Sequence, residues 1–215
     1  MLRSSQETLK RFDEWAASYD ASASAPGGPL EGYHASLAEA ARLVPVQPGW
    51  HVLDVGIGTG AFSALLAQRG GEIFGVDISA KMLEKCAAAH PEFRLRNGSF
   101  LPIPCPDGAF HAVVASFAFH EVHPSERAAA CRELARVVKP GGYVCLLDII
   151  FASAGARAEA RRALGDTWDE SEEYPLVWEL DTQLREAGFA KITWRHTAPY
   201  HWAVLGHLPR RNADG

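Results

Sequence analysis

Between residues 51 and 150, short apolar runs alternate with stretches of helical period. HVLDVG (51–56) is an apolar run ending at glycine, the pattern of a buried strand. GAFSALLAQRG (60–70) follows with helical spacing and stops at Gly70-Gly71, a C-terminal signal. EIFGVD (72–77) reads as a second strand. SAKMLEKCAAAH (79–90) reads as a helix with Ser79 placed to cap it and Pro91 just beyond. EFRLRNG (92–98) is a third, more exposed strand. The proline-rich LPIPCPDG (101–108) is a loop before FHAVVASFAF (110–119), a fourth strand. SERAAACRELARVVKPGG (125–142) predicts a helix ended by Pro140 and two glycines, and YVCLLDII (143–150) a fifth strand. Alternation at this spacing is that of a parallel α/β sheet with helices on both faces.

The pattern changes after residue 151. AGARAEARRALGDTWDESEEY (154–174) reads as helical and polar, with Thr167 and Glu170 spaced for a capping box. LVWELDTQLREAGF (176–189) is a helix ending at Gly188. AKITWRHT and YHWAVLGH are strands joined through Pro199, and with no crossover helix between them they must be antiparallel neighbours. Before residue 51, Phe12, Trp15 and Tyr19 form one helical stripe, and ASASAPGGP (21–29) is a loop.

Composition narrows the class without naming the chemistry. The 215 residues are 47% hydrophobic and 22% charged, ordinary for a globular chain, and the length predicts one domain over 1–215. A net charge of −5 argues against a dedicated nucleic-acid binder. The N-terminus has no apolar signal core and no stretch reaches bilayer-spanning length, which predicts a cytoplasmic protein without a membrane partner. The cysteines Cys86, Cys105, Cys131 and Cys145 lack paired spacing and read as packed thiols.

The chemistry begins at DVGIGTGAFS (54–63). Gly56, Gly58 and Gly60 let the backbone approach a ligand at a helix N-terminus, where free N–H groups and a partial positive charge point outward. Read as Gly56-x-Gly58-x-x-Ala61, the loop also fits a dinucleotide fingerprint. Asp54, two residues ahead of the first glycine, does not help a pyrophosphate and suits a ligand with a cationic centre. Asp77 ends the second strand, where a carboxylate can accept from a ribose diol. It supports an adenosyl ligand in either reading. The plainer alternatives are a helix cap for Asp77 and a loop-stabilising role for Asp54.

VLDVGIGTG, GVDIS, FHAVVASFAFHEV and ELARVVKPGGYVCLLDI together resemble class I S-adenosylmethionine-dependent methyltransferases, over about residues 10 to 205. FDEWAASYD, SFAFHEV and HWAVL look most like the small YrrT-like uncharacterised bacterial methyltransferases. The resemblance implies a Rossmann-like seven-stranded sheet of order 3-2-1-4-5-7-6 with the last strand antiparallel. It implies S-adenosylmethionine as cofactor, with Gly56, Gly58 and Gly60 near its methionine part and Asp77, beside Ile78, at the ribose. Ser116 and Phe117 at the end of strand four, and Tyr19 in the N-terminal helix, would also contact it. Where much of the family has an acidic residue for adenine, this chain has Ser99, followed by Phe100, which can pack on the adenine face. Residues 1–45 would be a helical cap or lid, with Tyr33 and His34 closing over the site, and 151–180 a substrate cover.

Methyl transfer by in-line displacement needs alignment above all, and a base only where the nucleophile carries a proton. His120 follows strand four at the sheet edge where ligands bind, and is the candidate base; the plainer reading is local packing. His123 before Pro124 reads as a turn and cap residue. His120, Glu121 and His123 lack the ligand spacing of a structural metal site, so no metal is expected. The acidic GDTWDESEEY (165–174) is either a mouth for a cationic substrate or a solvated helix. Trp168, Tyr174 and Trp178 are pocket or core. The leading expectation is transfer to a small-molecule acceptor. The alternatives are a macromolecule methyltransferase, a non-catalytic S-adenosylmethionine binder and a nicotinamide oxidoreductase.

Overall fold

The computed structural model describes residues 2–16 and 27–210. Its seven strands form one sheet: β1 (His51–Val55), β2 (Glu72–Asp77), β3 (Arg94–Asn97), β4 (Phe110–Ser116), β5 (Val138–Ile149), β6 (Ala190–Ala198) and β7 (His201–His207), in the order β3-β2-β1-β4-β5-β7-β6. Neighbours from β3 to β5 pair parallel, and β7 runs antiparallel between β5 and β6. This is the expected order.

The strands serve two cores because alternate side chains point to opposite faces. Val52 of β1, Val114 of β4 and Cys145 and Leu147 of β5 enter one cluster; Leu53 and Val55, Val113 and Ala115, Val144 and Leu146 enter the other. That double burial is why the strands read as continuous apolar runs rather than as alternating ones. The first core is covered by α2 (Tyr33–Leu43), α3 (Ala61–Ala67) and α4 (Ala80–Ala89), the second by α5 (Arg127–Val137) and α7 (Val177–Glu186). Helix α2 buries Tyr33, Ser36, Leu37, Ala40 and Ala41, one stripe at helical spacing. Leu134 of α5 is fully buried, which contributes about 1.5–3 kcal/mol. Ser79 caps α4 by accepting from Met82 N–H at 3.1 Å, as expected.

Four expectations are corrected. The helix after residue 151, α6, spans only Ala154–Leu164 and stops at Gly165 (φ 51°). Thr167 O–H donates to Leu164 O at 2.8 Å and Glu170 pairs with Arg161, so their capping box does not form. Chain 168–176 is not helical, and its Leu176 bridges Phe151. The helix before β5 ends at Val137, because Val138 already pairs with Phe110. Tyr33 is no lid residue: it is 5% exposed and packs on Phe117 with ring centroids 5.1 Å apart, while His34 is exposed. Trp168 and Tyr174 pack around Phe151 as core, whereas Trp178 is 61% exposed. No helix among the described residues is long and apolar enough to cross a membrane.

Candidate functional site

The C-terminal ends of β1, β2 and β4 open into a cleft of about 670 Å³. Its floor is the glycine loop (Gly56, Gly58), Asp77 and Ile78. One wall is Asn97 to Pro102, another Ser116 to Ala118 with Glu121 to His123, and helix α1 (Ser5–Trp15) supplies Thr8, Leu9 and Phe12. Open α/β sheets bind ligands at this edge, and the volume is that of a small-molecule site.

Each floor residue has a local reason for its place. Asp77 ends β2, and its two oxygens accept from Gly58 N–H at 2.9 Å and Ser79 N–H at 2.8 Å. Burial raises its pKa, against the pull of those backbone donors. Asn97 Nδ2 donates to Asp77 O and Ile78 O at 3.1 and 3.0 Å, fixing the turn beside it. A Cβ on Gly58 (φ +54°) would meet nothing within 4 Å, so open space lies before that backbone. Gly56 (φ +78°) lies against Ala118, 2.4 Å from where its Cβ would stand.

Among the sequence-predicted cofactor residues, Gly56, Gly58, Asp77, Ile78, Ser99, Phe100, Ser116 and Phe117 all line this cleft. Ser99 spends its hydroxyl on a turn, donating to Leu101 O and accepting Leu101 N–H, both at 3.2 Å. Phe100 is held edge-on to Phe119. Phe117 sits at φ 50°, a left-handed strain rare for a bulky side chain, and is clamped between Tyr33 and His201. Asp54 and Gly60 do not line the cleft. Asp54 is fully buried behind the loop, accepting from Ser63 O–H at 2.7 Å. Burial, opposed by Ser63 and assisted by the Asp77 charge, pushes its carboxyl up to about 7. A Cβ on Gly60 would press on Cys86 and His90, so its neighbour is α4. Tyr19 lies outside the described residues.

His120 is also displaced from the cleft wall. It lies in a turn after β4, 8% exposed, with Nδ1 2.5 Å from Asp148 Oδ1 while its backbone N–H donates to Asp148 Oδ2 at 3.0 Å. Burial pulls the imidazole down, but the carboxylates of Asp148, Glu172 and Glu121 outweigh it and raise it to about 10. His123 is the expected turn residue, its Nδ1 2.7 Å from Ser125 Oγ.

Sequence reading missed the tie across the cleft mouth. Arg3 Nη2 donates to Glu121 Oε1 at 3.0 Å and also to Glu172; Arg11 pairs with Asp169; Thr8 O–H donates to Glu121 Oε2 at 3.2 Å. At the far end of α1, Ser79 O–H donates to Asp13 at 2.6 Å. Asp169 and Glu172 thus clasp α1, which neither reading of the acidic stretch anticipated. The readable signals were the Ser4-x-x-Glu7 capping box that starts α1 and two arginines, Arg3 and Arg11, spaced for one side of it.

Residues 52–142 match the family model described as methyltransferase domain. An uncharacterized methyltransferase of Geobacillus thermodenitrificans is 30% identical, over 93% of this chain and 96% of that protein. A demethylmenaquinone methyltransferase of Symbiobacterium thermophilum is 30% identical, over 88% of this chain and 87% of its own length. Among solved structures, magnesium protoporphyrin IX methyltransferase from Synechocystis PCC 6803 with bound SAH superposes with a TM-score of 0.76 at 16% identity, covering 97% of this chain and all of that one.

Proposed function

Because the chain belongs to the class I S-adenosylmethionine-dependent methyltransferases, we propose that it methylates a small-molecule acceptor held under helix α1. The observation that carries the reading is helix α1 laid along the cleft. It is tied by Arg3 at its start and by Arg11 and Asp13 near its end, so it walls one side of the space beyond the glycine loop. Leu9, Phe12, Phe117 and Val122 make much of that pocket apolar, which favours a flat or greasy acceptor. The names of two proteins similar to this one, acting on demethylmenaquinone and on magnesium protoporphyrin IX, agree with such an acceptor.

The residues fit the cofactor. Gly58 leaves open space where a side chain would intrude, and Asp77 keeps lone pairs toward the cleft beyond the two backbone donors it holds. When bound, S-adenosylmethionine supplies an activated methyl on a sulfonium. In this reading Gly56 and Gly58 admit the methionine part, Asp77 with Ile78 takes the ribose, and Phe100 packs on the adenine. Ser99, committed to its own turn, contributes shape more than a hydrogen bond. Ser116 and Phe117 flank the end where the acceptor meets the cofactor. Asp54 and Gly60 shape the loop from behind it. His120, turned to Asp148 and away from the cleft wall, is not the base in this reading. Of the expected cap over 1–45, helix α1 takes that part, and Asp169 and Glu172 of the expected cover over 151–180 clasp it.

The test is S-adenosylhomocysteine formation across quinols, phenols, amines and thiols, run beside protein and nucleic-acid substrates. Turnover with a quinol or phenol is expected; turnover on macromolecules alone overturns the reading. Asp77→Ala should abolish thermal stabilisation by S-adenosylhomocysteine, which at a hundred times Kd is about 2.7 kcal/mol for the wild type.

A further inference from the structure

At the rim of the cleft, three ligand-type atoms converge, two from the neighbours His120 and Glu121 and one from Glu172. His120 Nε2 lies 3.7 Å from Glu121 Oε1 and 3.7 Å from Glu172 Oε2, and one ligand atom from each residue falls within 4.8 Å of the others. The ring is aimed by its other nitrogen, since Asp148 holds Nδ1 at 2.5 Å. A carboxylate behind a histidine is how metal-bound imidazoles are oriented, with the tautomer set and the outward nitrogen made more basic. A cavity of about 20 Å³ adjoins the cluster, lined by Arg3, His120, Glu121 and Glu172 among others. That is room for one water-sized occupant.

The guanidinium of Arg3 now serves as counter-cation to both carboxylates, and it fits poorly. Nη2 reaches Glu121 and Glu172 and Nη1 lies 3.5 Å from Asp169 Oδ2, but Nε and Nη1 are buried without a hydrogen-bond partner among the described residues. Buried donors left unpaired are costly and mark a place where the native occupant can differ.

We propose that His120, Glu121 and Glu172 form a binding site for a divalent first-row metal ion, with Arg3 as the competing cation. One imidazole and two carboxylates suit zinc or manganese. Bonds near 2.1 Å in tetrahedral array put ligand atoms roughly 3.4 Å apart, a few tenths closer than the two 3.7 Å distances from Nε2, and the two carboxylates stand within 4.8 Å of one another. On binding, the metal takes the Nε2 lone pair, any proton on Nε2 leaves to solvent, and Arg3 gives up its hold on Glu121 Oε1. Four carboxylates, those of Asp148, Glu121, Glu172 and Asp169, are then balanced by one divalent ion and two arginines, Arg3 and Arg11. Glu121 also lines the acceptor cleft, so the ion sits at the pocket rim where helix α1 is clasped. The site does not depend on which acceptor the enzyme uses.

The full chain, stripped with a chelator, is titrated with MnCl2 and separately with ZnCl2 by calorimetry. One ion per chain is expected. Glu172→Gln weakens binding about tenfold or more, as loss of a ligand should at least match loss of an outer-shell partner. His120→Gln gives the same loss, so whichever variant keeps the wild-type circular dichroism spectrum suffices. Arg3→Gln tightens binding, as removal of a competing cation should, while Glu170→Gln, an exposed acid nearby, leaves it unchanged, a result that general acidic attraction does not give. Failure of both the wild type and Arg3→Gln to bind either ion overturns the site. So does an affinity that the folded Glu172 or His120 variant retains.

Discussion

A methyl group added at Gly56 meets Ala118 at 2.4 Å, while one added at Gly58 points into open cleft. Gly56→Ala, at φ +78°, is therefore expected to destabilise the fold by about 1–3 kcal/mol through overpacking, on top of about 1–2 kcal/mol of backbone strain. Gly58→Ala, whose φ of +54° costs about 1–2 kcal/mol, should mainly lower affinity for S-adenosylhomocysteine. Thermal melts with and without that ligand separate the two outcomes. Asp54 makes a different prediction. Its carboxyl is pushed from its ordinary 3.8 to about 7, first by burial. The folded state then holds the proton more tightly than the unfolded one between those values. The contribution of Asp54 to stability is thus highest below about pH 4, falls as pH rises towards 7, and is level above it, by an amount on the order of a few kcal/mol. Asp77 adds a slope of the same sign, since burial raises it too. Asp54→Asn should flatten the melting temperature between pH 4 and 7; an unchanged slope refutes the assignment. The glycines and Asp77 were legible because loop, strand end and helix start are all written locally. That Gly60 answers to Cys86 and His90, and that Asp54 hides behind the loop, depends on contacts with neighbours that no local pattern records.

Helix α1 owes its start to Ser4 and Glu7, which cap one another, and its position to charges at both ends. Ser4→Ala should cost the helix about 0.5–2 kcal/mol. Backbone exchange in residues 6–12 should then quicken while the sheet amides stay unchanged. If the sheet loosens equally, α1 is integral to the core and not a strap over it. Elements differed in legibility for a physical reason. Strands β1, β2, β4 and β5 are buried on both faces, so their apolar runs are unmistakable, and Ser79 and Gly188 mark helix ends in plain view. Chain 168–176 lacks such marks. Its shape is set by Asp169 and Glu172 meeting arginines more than 150 positions earlier in the chain, and a run of acids reads equally as solvated surface. The same distance hid Asp148 behind His120: two residues 28 apart, in different elements, join only after β4 and β5 have paired.

Across the whole molecule, the sheet has one strand out of sequence: β7 lies inside β6, between it and β5. Every backbone pairing of β6 within the sheet is therefore with β7. During synthesis on the ribosome, β6 emerges with no partner, and its edge stays open until β7 follows. The link is only Pro199 and Tyr200, so the wait is short and the two strands can meet as a hairpin before either touches β5. A stop codon after Ala198 would therefore do more than trim an end. It would leave β5 with an uncovered edge across Tyr143–Ile149 and β6 with nothing to pair to, a template for joining other chains. A nonsense allele at that point is accordingly expected to behave as an aggregating product rather than as a shortened enzyme.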